Sequence, residues 1–184
     1  MGLDPASRVR FNLSEASILL FDSTSMGLTI LVQVLAGFGA KTFHRCTNLK
    51  EAQTSVAENI IDLAIVDATS DGTGYEFIEW LRRSGGDPNS YTPVLLTAGH
   101  TPMSDIQRAR DCGSHFALKK PLSPIAVLER IIWISREGRV FLMSDGYVGP
   151  DRRFKDDGPP NGIGRRREDA ALQAKADNAE GTVQ

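Results

Sequence analysis

Between residues 16 and 138, short apolar runs alternate with stretches whose apolar residues recur at helical spacing. Residues 18–21 (Ile-Leu-Leu-Phe) read as a buried strand that ends at Asp22. Leu28, Leu31, Val32, Leu35 and Phe38 then fall on one helical face and predict a helix over 28–38. Residues 42–45 (Thr-Phe-His-Arg) make a weak second strand, and Asn48 is placed to cap a polar helix through Val56. Residues 63–66 (Leu-Ala-Ile-Val) form the third strand and end at Asp67. A glycine-containing loop leads to a helix over 76–83. Residues 93–97 predict a fourth strand, 106–112 a helix, 116–119 a fifth strand running into Lys120-Pro121, and 124–136 a last helix. Five strands alternating with five helices predict an α/β fold. It is a doubly wound, five-stranded parallel sheet covered on both faces.

From Arg139 the character changes. Val140-Phe141-Leu142-Met143 is a short apolar run able to dock on the domain, but glycine, proline and charge dominate from residue 145 to 169. Residues 168–177 have helix-forming composition with little apolar surface beyond alanine. The predicted organisation is therefore a compact domain over 14–138 and a tail over 139–184 that stays largely disordered until a ligand orders it. The 184 residues suffice for one ordinary domain plus that tail. A net charge of −2 supplies no global field for nucleic acid, so anion binding has to come from a local cluster. The two cysteines, Cys46 and Cys112, give neither a disulfide framework nor a zinc site and fit a reducing cytosol. No apolar run reads as a signal peptide or a membrane span, so the expectation is a cytoplasmic protein without membrane insertion.

The tail carries the most specific signal. Gly149-x-x-Arg152-Arg153-x-x-Asp156 recurs thirteen residues later as Gly162-x-x-Arg165-Arg166-x-x-Asp169. A guanidinium fork matches the O6/N7 edge of guanine, and a carboxylate accepts from the guanine N1–H and N2–H, which arginine cannot do. An Arg/Asp pair can thus read both edges of one guanine. Two copies suit a ligand with two equivalent guanines and phosphates between them, which describes cyclic di-GMP. Arg153 with Asp156 and Arg166 with Asp169 are the candidate readers. Arg152 and Arg165 are candidates for phosphate contact or stacking, Asp151 and Arg167 for assistance, and Tyr147 for stacking on a base or, more plainly, for docking on the domain. Pro150 and the later prolines restrict the unbound chain, so less entropy is lost on ordering. The competing reading of this stretch is a solvated, charged linker. A nucleic-acid anchor fits poorly, because the neighbouring acids repel a polyphosphate.

A second constellation sits where an open parallel sheet binds its ligands, at the carboxyl ends of the strands. Asp22, Asp67, Thr97 and Lys120 fall there. Carboxylates of this kind hold magnesium and supply a nucleophile, while a hydroxyl and an ammonium bind phosphoryl oxygens. With Ile-Leu-Leu-Phe-Asp-Ser at 18–23, Leu-Ala-Ile-Val-Asp at 63–67, Pro-Val-Leu-Leu-Thr-Ala at 93–98 and Ala-Leu-Lys-Lys-Pro at 117–121, this segment resembles the receiver domain of two-component response regulators, the CheY fold. The resemblance implies strand order 2-1-3-4-5. It also implies Asp67 as phosphoacceptor, Thr97 as switch hydroxyl, Lys120 as phosphate-binding lysine, a weak magnesium site at Asp22 and Asp67, and a cis peptide before Pro121. The chain departs from the pattern. Ser23 stands where a second acid is usual, the loop after Asp67 is one residue short before Gly74, and Asp71 is the nearest acid able to compensate. The switch aromatic falls at Ala117, with Phe116 one position early and on the other face. These departures favour a receiver scaffold that no longer uses phosphorylation.

The CheY-like segment followed by Tyr147 and the two Arg-Arg-x-x-Asp half-motifs resembles the Cle proteins, CheY-like cyclic di-GMP effectors of alphaproteobacteria. That resemblance implies cyclic di-GMP binding in the tail, as an intercalated dimer. It also implies a flagellar motor switch protein as partner and recruitment to the flagellated pole. The alternative function is a phosphate-controlled single-domain response regulator using Asp67. Neither account requires DNA binding or an enzyme activity.

Overall fold

The computed structural model describes residues 13–68, 71–99, 103–136 and 139–151, with the side chains of 103–106 excepted. Among these residues the chain runs β1 (Ser17–Phe21), α1 (Ser25–Gly37), β2 (Thr42–Cys46), α2 (Leu49–Glu58), β3 (Leu63–Asp67), α3 (Thr73–Ser84), β4 (Val94–Ala98), α4 (Met103–Asp111), β5 (Phe116–Lys119), α5 (Pro124–Arg136), β6 (Phe141–Ser144) and β7 (Tyr147–Pro150). The first five strands pair in parallel in the order β2-β1-β3-β4-β5, as the sequence leads one to expect.

The central strands β1, β3 and β4 are buried along almost their whole length because both faces of the sheet are covered, while the edge strands β2 and β5 are partly exposed. Side chains alternate between faces, and the core divides accordingly. Leu19, Phe21, Ala64, Val66 and Leu96 join Phe77, Ile78 and Leu81 of α3 on one face. Ile18, Leu20, Leu63, Ile65 and Leu95 meet Leu28, Leu31 and Leu35 of α1 and Val127, Ile131 and Ile134 of α5 on the other. Helices α1 and α3 each begin three residues earlier than the sequence pattern places them. Thr24 caps α1 by accepting the Gly27 N–H at 3.1 Å, and Asp71 accepts the N–H and hydroxyl of Thr73 at the start of α3. Asn48 caps α2 as expected, accepting the Glu51 N–H at 3.0 Å.

The first part of the tail, expected to be largely disordered apart from an apolar run able to dock, is a docked hairpin. β6 and β7 form an antiparallel hairpin, pairing Phe141 with Pro150 and Ser144 with Tyr147 across the two-residue turn Asp145-Gly146. The hairpin packs at the amino-terminal edge of β4 and β5. Phe141 sits edge-on to Tyr91 with ring centres 5.0 Å apart and lies 5.8 Å from the His115 ring. The guanidinium of Arg82 lies 5.2 Å from the Phe141 ring centre. Gly113 and Gly149 let the two backbones cross. A Cβ on Gly149 would stand 2.8 Å from the Gly113 Cα, and one on Gly113 would stand 2.7 Å from the Val148 carbonyl oxygen. The base of the hairpin is closed by the Asp151 N–H donating to the Val140 carbonyl at 2.8 Å. Arg139 lies over Trp133 of α5, 4.6 Å from the ring centre.

His115 is buried beneath this hairpin, where its Nδ1 accepts the Val94 N–H at 3.1 Å. Burial pushes its pKa down to about 3, and the positive charges of Arg82 and Arg139 push the same way. The unfolded chain binds this proton near pH 6.5, whereas the folded chain resists it until about pH 3. Stability from His115 is therefore full above pH 6.5 and lost as pH falls toward 3. In His115→Gln, which keeps an acceptor for Val94 but does not titrate, this loss disappears. Denaturant unfolding of both proteins from pH 7 to 4 is expected to show wild type losing up to about 1.4 kcal/mol per pH unit relative to the variant.

Candidate functional site

Parallel topology gathers the carboxyl ends of β1, β3, β4 and β5 at one edge of the sheet, and the four predicted polar residues meet there. The Lys120 Nζ donates to Asp22 Oδ2 at 3.0 Å and lies 2.8 Å from Asp67 Oδ1. Thr97 Oγ1 donates to the same Asp67 oxygen at 3.1 Å. The other Asp22 oxygen accepts the N–H of Thr24 at 2.8 Å and its hydroxyl at 2.7 Å. Asp22 is 1% exposed, and Gly27 leaves the room it occupies, since a Cβ there would overlap the carboxylate. The peptide before Pro121 is cis, as the receiver pattern implies.

The electrostatics follow from this geometry. Burial raises the pKa of Asp22, but the bonds from Thr24 and the ammonium of Lys120 outweigh it and leave the carboxyl below its usual value. Burial lowers the pKa of Lys120, but the bonds to Asp67 and Asp22 outweigh that and hold it above its usual value. Both groups are thus charged at neutral pH, and the ammonium lies between the two carboxylates. Among the described residues no cluster of three or more His, Cys, Asp or Glu could hold a metal ion. Ser23 is exposed and uncharged, and Asp71 is occupied at the start of α3. Magnesium demands near-octahedral oxygen ligands. Asp22 and Asp67 are the acids in place, and the arrangement as it stands is closed by Lys120 rather than open to an ion.

The position where the receiver pattern places a switch aromatic is alanine. Ala117 is exposed on β5, while Phe116 packs edge-on against Trp133, with ring centres 4.7 Å apart, on the face covered by α5. No aromatic ring can swing at residue 117.

Of the candidate ligand readers, Tyr147, Pro150 and Asp151 lie in described structure. Tyr147 is buried, with its hydroxyl donating to the Pro150 carbonyl at 2.7 Å, so its ring is part of the docked hairpin rather than free to stack on a base. Pro150 is buried at the end of β7. The Asp151 carbonyl accepts from Arg139 at 3.4 Å. Arg152, Arg153, Asp156, Arg165, Arg166, Arg167 and Asp169 lie outside the described residues. The sequence pattern did not single out Arg82 and His115, which anchor the hairpin. Asp145-Gly146 between apolar runs was the signal for that hairpin.

The fold is shared with solved receiver structures. The chemotaxis protein CheY4 of Vibrio cholerae is 22% identical with a TM-score of 0.57, covering 65% of this chain and 98% of that one. A response regulator from Thermotoga maritima is 20% identical with a TM-score of 0.58, covering 66% and 98%. The signal receiver domain of a signal transduction histidine kinase from Syntrophus aciditrophicus is 21% identical with a TM-score of 0.59, covering 72% and 99%. Likeness at this level of identity establishes the receiver, CheY-like fold. No protein-family model matches the chain, and no curated protein matches it. No helix among the described residues is long and apolar enough to cross a membrane.

Removing the bridging cation leaves two carboxylates facing each other, one of them buried. Lys120→Met is expected to lower stability at pH 7 by about 2 kcal/mol. That is less than for a fully buried pair, because the Lys120 side chain is 32% exposed. The Asp22 contribution is present above the unfolded carboxyl pKa and lost as pH falls through its lowered folded value, whereas the variant gains by protonating Asp22. Unfolding of both proteins on acidification below about pH 4 is therefore expected to bring their stabilities together.

Proposed function

We propose that this chain is a cyclic di-GMP effector. The repeated Arg-Arg-x-x-Asp half-motifs bind the ligand, and the receiver-fold domain passes the signal to a protein partner. The observation that carries this reading is the thirteen-residue repeat itself, with glycine, both arginines and aspartate all in register. Each Arg/Asp pair reads the two edges of one guanine. The ligand is an intercalated cyclic di-GMP dimer, and the chain acts by binding rather than by catalysing a reaction. This agrees with the resemblance to the Cle proteins, which points to the flagellar motor switch as partner, met through the α4–β5–α5 face. The hairpin offers a physical route, since Arg139 at its base lies over Trp133 of α5 and 5.5 Å from the ring centre of Phe116 of β5. The chain enters its arginine-rich segment directly after the carbonyl that Arg139 holds.

A second reading is a response regulator phosphorylated at Asp67. It is favoured by the convergence of Asp67, Thr97 and Lys120 within 3.1 Å. It is weakened by the lack of a second acid beside Asp22 and by Ala117 at the switch position.

Isothermal titration of cyclic di-GMP into the full chain separates the two. Arg153→Ala and Asp156→Ala are each expected to weaken binding by about 1–3 kcal/mol, and Asp67→Asn to leave it unchanged. Loss of binding in Asp67→Asn would show that the acid pocket, not the repeat, controls the ligand. Magnesium-dependent phosphorylation of Asp67 by a small phosphodonor, without cyclic di-GMP binding, would establish the second reading.

A further inference from the structure

Away from the acid pocket, a cleft of about 230 Å³ opens between the end of α3, the end of α4 and the β6–β7 turn. It is lined by Glu79, Arg82 and Arg83 of α3, by Asp111 of α4, and by residues 146–148 of the hairpin. Arg82 is 3% exposed. Its Nε donates to the Gly113 carbonyl at 2.9 Å and its Nη1 to the Ser90 carbonyl at 2.8 Å, while its Nη2 has no hydrogen-bond partner. No carboxylate is ion-paired with it among the described residues. Burial alone holds its pKa down to about 10. Glu79 and Arg83 stand one helical turn apart, the spacing of an ordinary surface ion pair, yet no hydrogen bond or salt bridge joins them.

The polar groups of the cleft define what can enter. Glu79 and Asp111 repel a bare phosphate, and Arg82 and Arg83 repel a cation. A neutral molecule with two adjacent donors on one edge and two adjacent acceptors on another satisfies both signs. Guanine has this pattern: O6 and N7 match a guanidinium fork, and N1–H and N2–H match a carboxylate. Adenine lacks the adjacent pair of donors. The cleft has the volume of several liquid waters at about 30 Å³ each, enough for one such base. We propose that this cleft takes a guanine base, with Arg83 at its acceptor edge and the Glu79 carboxylate at its donor edge. The source of the base is either a mononucleotide or a cyclic dinucleotide. The assignment stands on the groups lining the cleft and not on the reading of the tail.

The test uses the full chain carrying Arg153→Ala and Arg166→Ala, which disables the tail motifs, with amide NMR during titration with GMP and with AMP. GMP is expected to shift residues 79–83 and 146–148 saturably, with AMP at least about tenfold weaker. Arg83→Ala and Glu79→Gln, both at exposed positions that leave the fold intact, are each expected to weaken GMP about tenfold. Equal response to GMP and AMP, or GMP shifts unchanged in both of these variants, would overturn the assignment. A parallel titration of the wild-type chain with cyclic di-GMP separates this proposal from the tail reading and identifies the source of the base. A cleft silent to GMP, in a protein whose cyclic di-GMP binding needs Arg153, removes the cleft and leaves the tail reading. A cleft that responds to GMP, in a protein whose cyclic di-GMP binding is indifferent to Arg153→Ala, keeps the cleft and removes the tail reading.

Discussion

A parallel sheet has to be covered on both faces, and most of this structure follows from that constraint. Helical crossovers supply the cover, so every strand points the same way and the sheet has two unlike edges. At the carboxyl edge the chain leaves β1, β3, β4 and β5 within reach of one another, which brings Asp22, Asp67, Thr97 and Lys120 together. At the amino edge it leaves the approaches to β4 and β5, which would expose His115 and the end of α3. The hairpin closes that edge with Phe141, whose ring meets Tyr91 and His115. One sheet thus carries an ion cluster at one end and an aromatic seal at the other.

The ion cluster shows how a shared scaffold can hold a site in a different balance. Two carboxylates near each other need a compensating cation, and Lys120 supplies it from within the protein. Its two bonds of about 3 Å each engage one oxygen of a carboxylate. With Ser23 adding no charge, the cluster is close to self-contained. The amino-edge cleft is the reverse case. There Arg82 is buried without a counter-ion and held by two carbonyls and an aromatic face. Such an arrangement leaves donor capacity in reserve.

Much of this was legible in the sequence. The three central strands β1, β3 and β4 were marked by apolar runs, because burial on both faces removes the polar alternation that would blur them, whereas the edge strands β2 and β5 alternate and gave a weaker signal. The pocket residues were legible for a related reason: a polar residue that ends a buried strand lies at its mouth. The starts of α1 and α3 were not. Thr24 holds the first turn of α1 before its buried face begins at Leu28, so the periodicity there starts late, whereas in α3 the turn chemistry of Asp71 and Gly72 hid a start whose buried face already includes Gly74 and Tyr75. Nor was the bridging of Asp22 and Asp67 by Lys120, which depends on how three strand ends splay. The hairpin was missed for a chemical reason. Glycine, proline and charge around it read as tail, although Asp145-Gly146 between Val140-Phe141-Leu142-Met143 and Tyr147-Val148 is a hairpin pattern.

The crossing of Gly113 and Gly149 fixes where the hairpin can dock. The two backbones approach so closely that neither position tolerates a Cβ without moving a carbonyl or a neighbouring Cα. A docked hairpin is thus encoded jointly by one residue inside the domain and another beyond it, at the opposite end of the strands from the ion cluster. Gly113 stands at φ +94°, a conformation that favours glycine by itself, so one residue serves both the turn into β5 and the seat of the hairpin.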